Sequence, residues 1–151
     1  MVSFPTPTSV SEIRQAVETR AVATSLSGGQ SFKLSIKPHL FLRETIQSPE
    51  HLEIAVGSSS SSARGDRQKP GGTVLADTVI EVAFWYQLSA HDHDVDGLLD
   101  VEDALRRRVL SQDGTYPATF QIVWSRSTRS AALPGWVYCE SSFSALHYAQ
   151  S

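Results

Sequence analysis

A single cysteine, Cys139, stands in the 151 residues. One thiol excludes an internal disulfide framework and a zinc site built from four cysteines, and it leaves the redox compartment unread. Long apolar runs are missing too: Val82-Ala83-Phe84-Trp85-Tyr86 falls far short of the roughly 20 residues of a membrane span, so a soluble chain with no membrane partner is expected. There is no excess of basic charge. The 13 Lys plus Arg face 16 Asp plus Glu, a net charge of -3, which argues against affinity built on neutralising many phosphates. The opening Met1-Val2-Ser3-Phe4-Pro5-Thr6-Pro7 has neither the basic start nor the apolar core of a signal peptide, and secretion is not expected.

Catalytic signatures are equally scarce. No serine sits in a GxSxG turn, and Gly28-Gly29 and Gly71-Gly72 lack the lysine and the strand-to-helix placement of a phosphate cradle. His39, His51 and His147 fall in no HxxxH frame, while His91 and His93 form a pair without a visible third ligand. Cys139 lies in an alternating stretch where a buried thiol is inert. The expectation is a protein that is not an enzyme. The aromatic residues, among them Trp85, Trp124 and Trp136, sit on strand-like stretches without basic interleaving, which reads as core before it reads as a base-stacking platform.

A hydrophobic fraction of 40% rules out wholesale disorder, and the length suits one domain over residues 1–151. Ser9 precedes Glu12 by three positions, the spacing of a capping box, and Val10, Ile13, Val17 and Ala21 follow at helical intervals. This predicts a helix over residues 9–26, stopped by Gly28-Gly29. An extended segment is expected around residues 39–43. Leu52, Ile54 and Val56 then alternate as a strand with one buried face.

Residues 57–72, opening on a run of serines, read as a small polar loop that is mobile when unbound, and its length exceeds an ordinary hairpin connection. A partner contact through Ser58, Ser60, Arg64, Asp66, Arg67 and Lys69 is expected. The longest strand follows, with Ile80, Val82, Phe84 and Tyr86 on one side and Asp77, Glu81 and Gln87 on the other. Val79, Ala83 and Trp85 share the second side, which suggests a subunit interface there.

Leu98, Val101, Leu105 and Val109 mark a second helix over residues 96–111. Its acids come early and its arginines late, complementing the helix dipole, and surface pairs Glu102 with Arg106 and Asp103 with Arg107 are expected. Residues 118–148 close the chain as a hairpin, with Phe120, Ile122 and Trp124 alternating, a turn region over 127–134, and a last strand from Trp136. The fold class is therefore α+β: a two-layer arrangement of a mainly antiparallel or mixed sheet with two helices packed on it, in which residues 51–88 form a long hairpin.

One acidic run stands out. Asp92, Asp94, Asp96, Asp100 and Asp103, with Gly97 and Leu99, fall at the positions of a calcium-binding EF-hand loop. Position twelve is Asp103, one methylene shorter than the usual glutamate, and a strand rather than a helix precedes the run. The other reading is an acidic linker whose Asp94 or Asp96 caps the second helix. Apart from calcium no cofactor is expected.

In element order the chain resembles the tail terminator proteins of long-tailed bacteriophages. The resemblance rests on the opening helix, the Pro49-Glu50-His51-Leu52-Glu53-Ile54 approach to a hairpin, the long strand through Leu88, the acidic step, the second helix and the closing hairpin through Gly135-Trp136-Val137-Tyr138. It implies a homohexameric ring at the head-proximal end of the tail tube, made in the host cytoplasm and located in the virion. Such a ring stops tube polymerisation, touches the tail tube protein and a head-completion or neck protein, and lets genomic DNA pass without specific binding. A head-completion or neck connector is the near alternative, and a calcium-dependent interaction module using Asp92 to Asp103 is the alternative from another class.

Overall fold

The computed structural model describes residues 6–35, 50–64, 72–88, 95–111, 116 and 119–150. The first helix, α1 (Val10–Val22), begins where expected: the Ser9 side chain accepts the Glu12 amide hydrogen at 3.1 Å, answering one of the unpaired donors of a helix start. Ile13, Val17 and Ala21 form its buried stripe. It stops short of residue 26, because the Thr24 hydroxyl donates to the Ala21 carbonyl at 2.8 Å and the Ala23 amide is shared among the last carbonyls, a local alternative to another helical turn. A 3-10 turn, Ser27–Gly29, follows with Gly28 and Gly29 at positive φ. Strand β1 (Lys33–Leu34) is brief. The segment expected at residues 39–43 lies outside the described residues.

Four longer strands complete one sheet: β2 (Glu53–Ala63), β3 (Thr73–Gln87), β4 (Phe120–Leu133) and β5 (Trp136–Gln150), in the order β1-β2-β3-β5-β4. β1 runs parallel to β2 and every other pairing is antiparallel. β3 and β5 form the spine, in unbroken register from Thr73 opposite Gln150 to Gln87 opposite Trp136. The second helix, α2 (Val95–Leu110), joins β3 to β4 and lies with α1 on one sheet face. The protein is an α+β fold of two layers, with a mixed sheet.

Two stretches expected as loops are strand instead. β2 runs on through the serines to Ala63, pairing Ser60 with Val79 and Ala63 with Ala76 after a bulge near Ser58. Serine has little strand propensity of its own, yet here the hydroxyls bond across the ladder: Ser58 Oγ donates to the Val79 carbonyl at 2.7 Å, and Ser61 Oγ meets Thr78 Oγ1 at 2.8 Å. Arg64 extends the pairing by donating its amide to the Leu75 carbonyl at 2.7 Å and by an ion pair to Asp77. Likewise β4 continues to Leu133, so the connection to β5 is a tight turn at Pro134 and Gly135 rather than the region 127–134. Gly135 takes φ 77° there, a conformation that glycine adopts without a Cβ penalty.

The helix-facing side of the sheet holds the main core, in which Ile54, Val82, Phe84, Phe143, Leu105 and Val109 are fully or almost fully buried. Each such side chain contributes about 1.5–3 kcal/mol when withdrawn from water. Arg20 links the two helices: it is buried, stacks on the Tyr116 ring at 3.4 Å, and donates to the Arg108 and Ser111 carbonyls at the end of α2. Its charge thus sits at the negative end of that helix dipole.

Candidate interaction surface

Strand alternation assigns every second residue to the sheet face that the helices leave open. The register gives that face as rows running across the strands. Gly57, Glu81, Ser142 and Arg126 share one row, Ser60, Val79, Ser144 and Val123 the next, and Ser62, Asp77, Leu146 and Gln121 a third. None of the described helices packs there. The surface is rich in hydroxyls, with charge at Asp77, Glu81 and Arg126 and apolar side chains at Val79 and Leu146, half-buried, and at Val123, 60% exposed.

At one end this face is closed by the chain itself. Trp85 packs edge-on to Tyr138 and Trp136, with ring centroids 5.0 Å and 6.4 Å away, and Ala83, Ala55 and Leu133 complete the cluster. Of the residues expected at a subunit interface, Ala83 and Trp85 are therefore enclosed within the chain, at 0% and 1% exposure. Only Val79, half-buried, keeps surface for another molecule. The physical reason is the short β4–β5 turn, which brings Leu133 and Trp136 onto the end of the sheet where a longer loop would not.

The residues expected to bind a partner through a loop are dispersed. Ser58 and Ser60 belong to β2, Arg64 follows it in an ion pair with Asp77, and Asp66, Arg67 and Lys69 lie outside the described residues. The acidic run does not form a calcium loop from the residues that are described. Asp96, Asp100 and Asp103 lie within the continuous helix α2, where helical geometry sets the carboxylates along an axis instead of wrapping them around an ion. Asp103 instead meets Arg106 at 2.5 Å. Asp92, Asp94, His91 and His93 are outside the described residues. Among those described, no group of three or more His, Cys, Asp or Glu is placed to hold a metal ion, and no helix is long and apolar enough to cross a membrane.

Glu102 corrects a second expectation. Rather than pairing with Arg106 at the surface, it is buried at 3% exposure and its Oε2 meets Arg129 Nε of β4. Arg106 lies over the Trp124 ring at 4.7 Å, so two arginine contacts tie α2 to β4. The sequence carries no local signal for the first, since its partners are 27 positions apart. Cys139 sits nearby, wholly buried. Burial first, and the Glu102 charge second, push its thiol up to about 12, while Arg129 pulls the other way. With so little thiolate at ordinary pH, Cys139 is expected to stay silent toward a disulfide reagent such as DTNB at pH 8 in the native protein and to react fully in denaturant; fast native labelling would contradict its placement.

The two described histidines are both engaged. His147 is buried, with Nε2 2.7 Å from Thr78 Oγ1 and Nδ1 2.9 Å from the Thr8 carbonyl, so it pins the segment before α1 to β5. His51 Nδ1 accepts the Gln87 amide hydrogen at 3.0 Å and its ring packs edge-on to Tyr86; burial, then the nearby Lys33 charge, lowers its pKa from the usual value. A depression of about 510 Å³ at the end of the open face is lined by Leu75, Leu146, His147 and Tyr148, but with both ring nitrogens of His147 committed it presents no available base.

No protein-family model matches the chain, and no curated protein matches it in sequence. Among solved structures it has some likeness to one from Akkermansia muciniphila described as lacking its transmembrane region. That likeness covers 97% of this chain and 90% of the other at 11% identity, with a TM-score of 0.35, too little to relate the two in function.

Proposed function

We propose that this chain is the subunit of a virion ring, a tail terminator that closes the head-proximal end of a phage tail tube and joins it to the neck. The observation behind this reading is the one-sided sheet: both described helices lie on one face, and no described helix covers the rows from Gly57 to Arg126, Ser60 to Val123 and Ser62 to Gln121 on the other. An antiparallel sheet can keep such a face in water, and repeated copies arranged around an axis would supply it with neighbours or a lumen. The chemistry of that surface also suits a passage for DNA. Serine hydroxyls with charges of both signs hold phosphate weakly, and the chain carries a net charge of -3, so transit would not be arrested by the counterion release that drives tight binding.

Native mass spectrometry of the purified protein is expected to show a closed ring built from six copies of the 16.5 kDa chain. Added to polymerising tail tube protein, the ring should stop growth at one tube end, as seen by electron microscopy. Binding to the portal side of the neck without any effect on tubes would favour the neck-connector role instead. A protein that remains a monomer up to high micromolar concentration, alone and with tube protein, ends the proposal.

A further inference from the structure

The ring reading leaves open how copies meet, and the sheet edges supply an answer. We propose that the outer edge of β4 in one copy pairs with the outer edge of β2, over residues 57–63, in the next, so that one sheet continues from subunit to subunit. This rests on the ring reading and adds the seam to it. β1 covers only Glu53 and Ile54 of β2, with the Ser35 amide reaching the Ile54 carbonyl. Beyond them no described strand pairs with that edge, and residues 58–63 are exposed. At the far side of the sheet β4 presents an edge of 14 residues without proline or lysine, two of the devices by which edges are blunted, and it carries Arg126, Arg129 and register shifts after Trp124 and Ser130.

Three features make these edges partners for each other. Their directions are compatible: β2 is antiparallel to β3, β3 to β5 and β5 to β4, so β4 runs opposite to β2, and an unrotated neighbour brought alongside meets it antiparallel. Their heights agree as well. Ser60 and Val123 lie on one row, Ser62 and Gln121 on the next, and Ala63 and Phe120 beyond them, so copies need no shift along the strands to join. Their bulk is complementary, with exposed Val123 and Trp124 on one edge and serines on the other. Because the two edges are different surfaces, the contact is heterologous, and it closes into a ring when each successive copy is also turned about an axis along the strands.

Cysteine pairs test the seam directly, since the native Cys139 is wholly buried. The double variants Ser60→Cys with Val123→Cys and Ser62→Cys with Gln121→Cys alter exposed positions only, and their folding is checked by circular dichroism melts. After mild oxidation, non-reducing electrophoresis is expected to show a ladder ending at the ring size for at least one double variant, collapsing on reduction, with each single variant monomeric. Rings that persist in the mass measurement while every double variant runs as a monomer would overturn the seam and leave the ring reading intact. Dimers from Val123→Cys alone would overturn it in favour of a two-fold β4-to-β4 contact. Absence of any assembly at all removes the ring reading and the seam together.

Discussion

Phe84→Asp is expected to yield no folded protein. Phe84 lies in the middle of the sheet, opposite Ile54 of β2 on one side and Cys139 of β5 on the other, with no exposed surface and its ring edge-on to Phe32 at 5.3 Å. Deleting a buried phenyl group costs about 3–5 kcal/mol. Placing a carboxylate in the same site adds several more, because no described cation stands there to receive it. The sum is of the order of the whole stability of a domain, about 5–15 kcal/mol. The measurement is soluble yield and far-ultraviolet dichroism, with Phe84→Leu expected to fold at a loss of about 1–2 kcal/mol in urea melts. Val123→Asp, on the open face, should change stability by roughly 0.5 kcal/mol or less. A folded Phe84→Asp protein with unchanged melting would mean that the helix-facing core is wrongly assigned.

That contrast between Phe84 and Val123 also marks how far the sequence could be read. Elements whose evidence is local came through: the Ser9 cap with the Ile13, Val17 and Ala21 stripe of α1, the Leu98 to Val109 stripe of α2 and the alternation of β3 all appear as burial in the structure. What failed was decided by residues distant in the chain. The serines of β2 have no strand signature of their own, and only the opposite strand, with Thr78 and Val79 as hydrogen-bond partners, makes them extended. The acidic spacing is a different case: Asp96, Asp100 and Asp103 belong to the helix that the local Leu98 to Val109 stripe also predicts, while Asp92 and Asp94 lie outside the described residues. Trp85 was assigned correctly to the second sheet face and yet misjudged as available, because its cover comes from Trp136 and Tyr138, about fifty residues away along the chain. The edges that the described strands leave unpaired, that of β4 and that of β2 beyond Ile54, follow from strand order, which no periodicity encodes.

Arg129→Leu is expected to be the most damaging change at a position that is itself partly exposed. Arg129 keeps 46% of its side chain in solvent, while the Glu102 carboxylate that it meets keeps 3%, and the second oxygen, Oε1, is buried with no hydrogen-bond partner among the described residues. The pair is thus lopsided: one partner is solvated and the other depends on it. Removing the guanidinium leaves a buried charge without compensation, a change that costs about 3–5 kcal/mol for fully enclosed pairs. The exposure of Arg129 lets water replace part of what is lost, and about 2–3 kcal/mol is the expected figure once that screening is counted. For a chain of this length that corresponds to a fall in melting temperature of roughly 5–10 °C. Glu102→Leu should restore most of it in the double variant, since two apolar side chains can replace a buried ion pair at little cost. Thermal melts of the two singles and the double form a cycle: a double variant as unstable as Arg129→Leu alone would show that Arg129 acts through packing on β4, not through the carboxylate. Because Glu102 belongs to α2 and Arg129 to β4, the same variant should also loosen the strand that the seam requires, so ring assembly is expected to weaken in Arg129→Leu and to recover with the double.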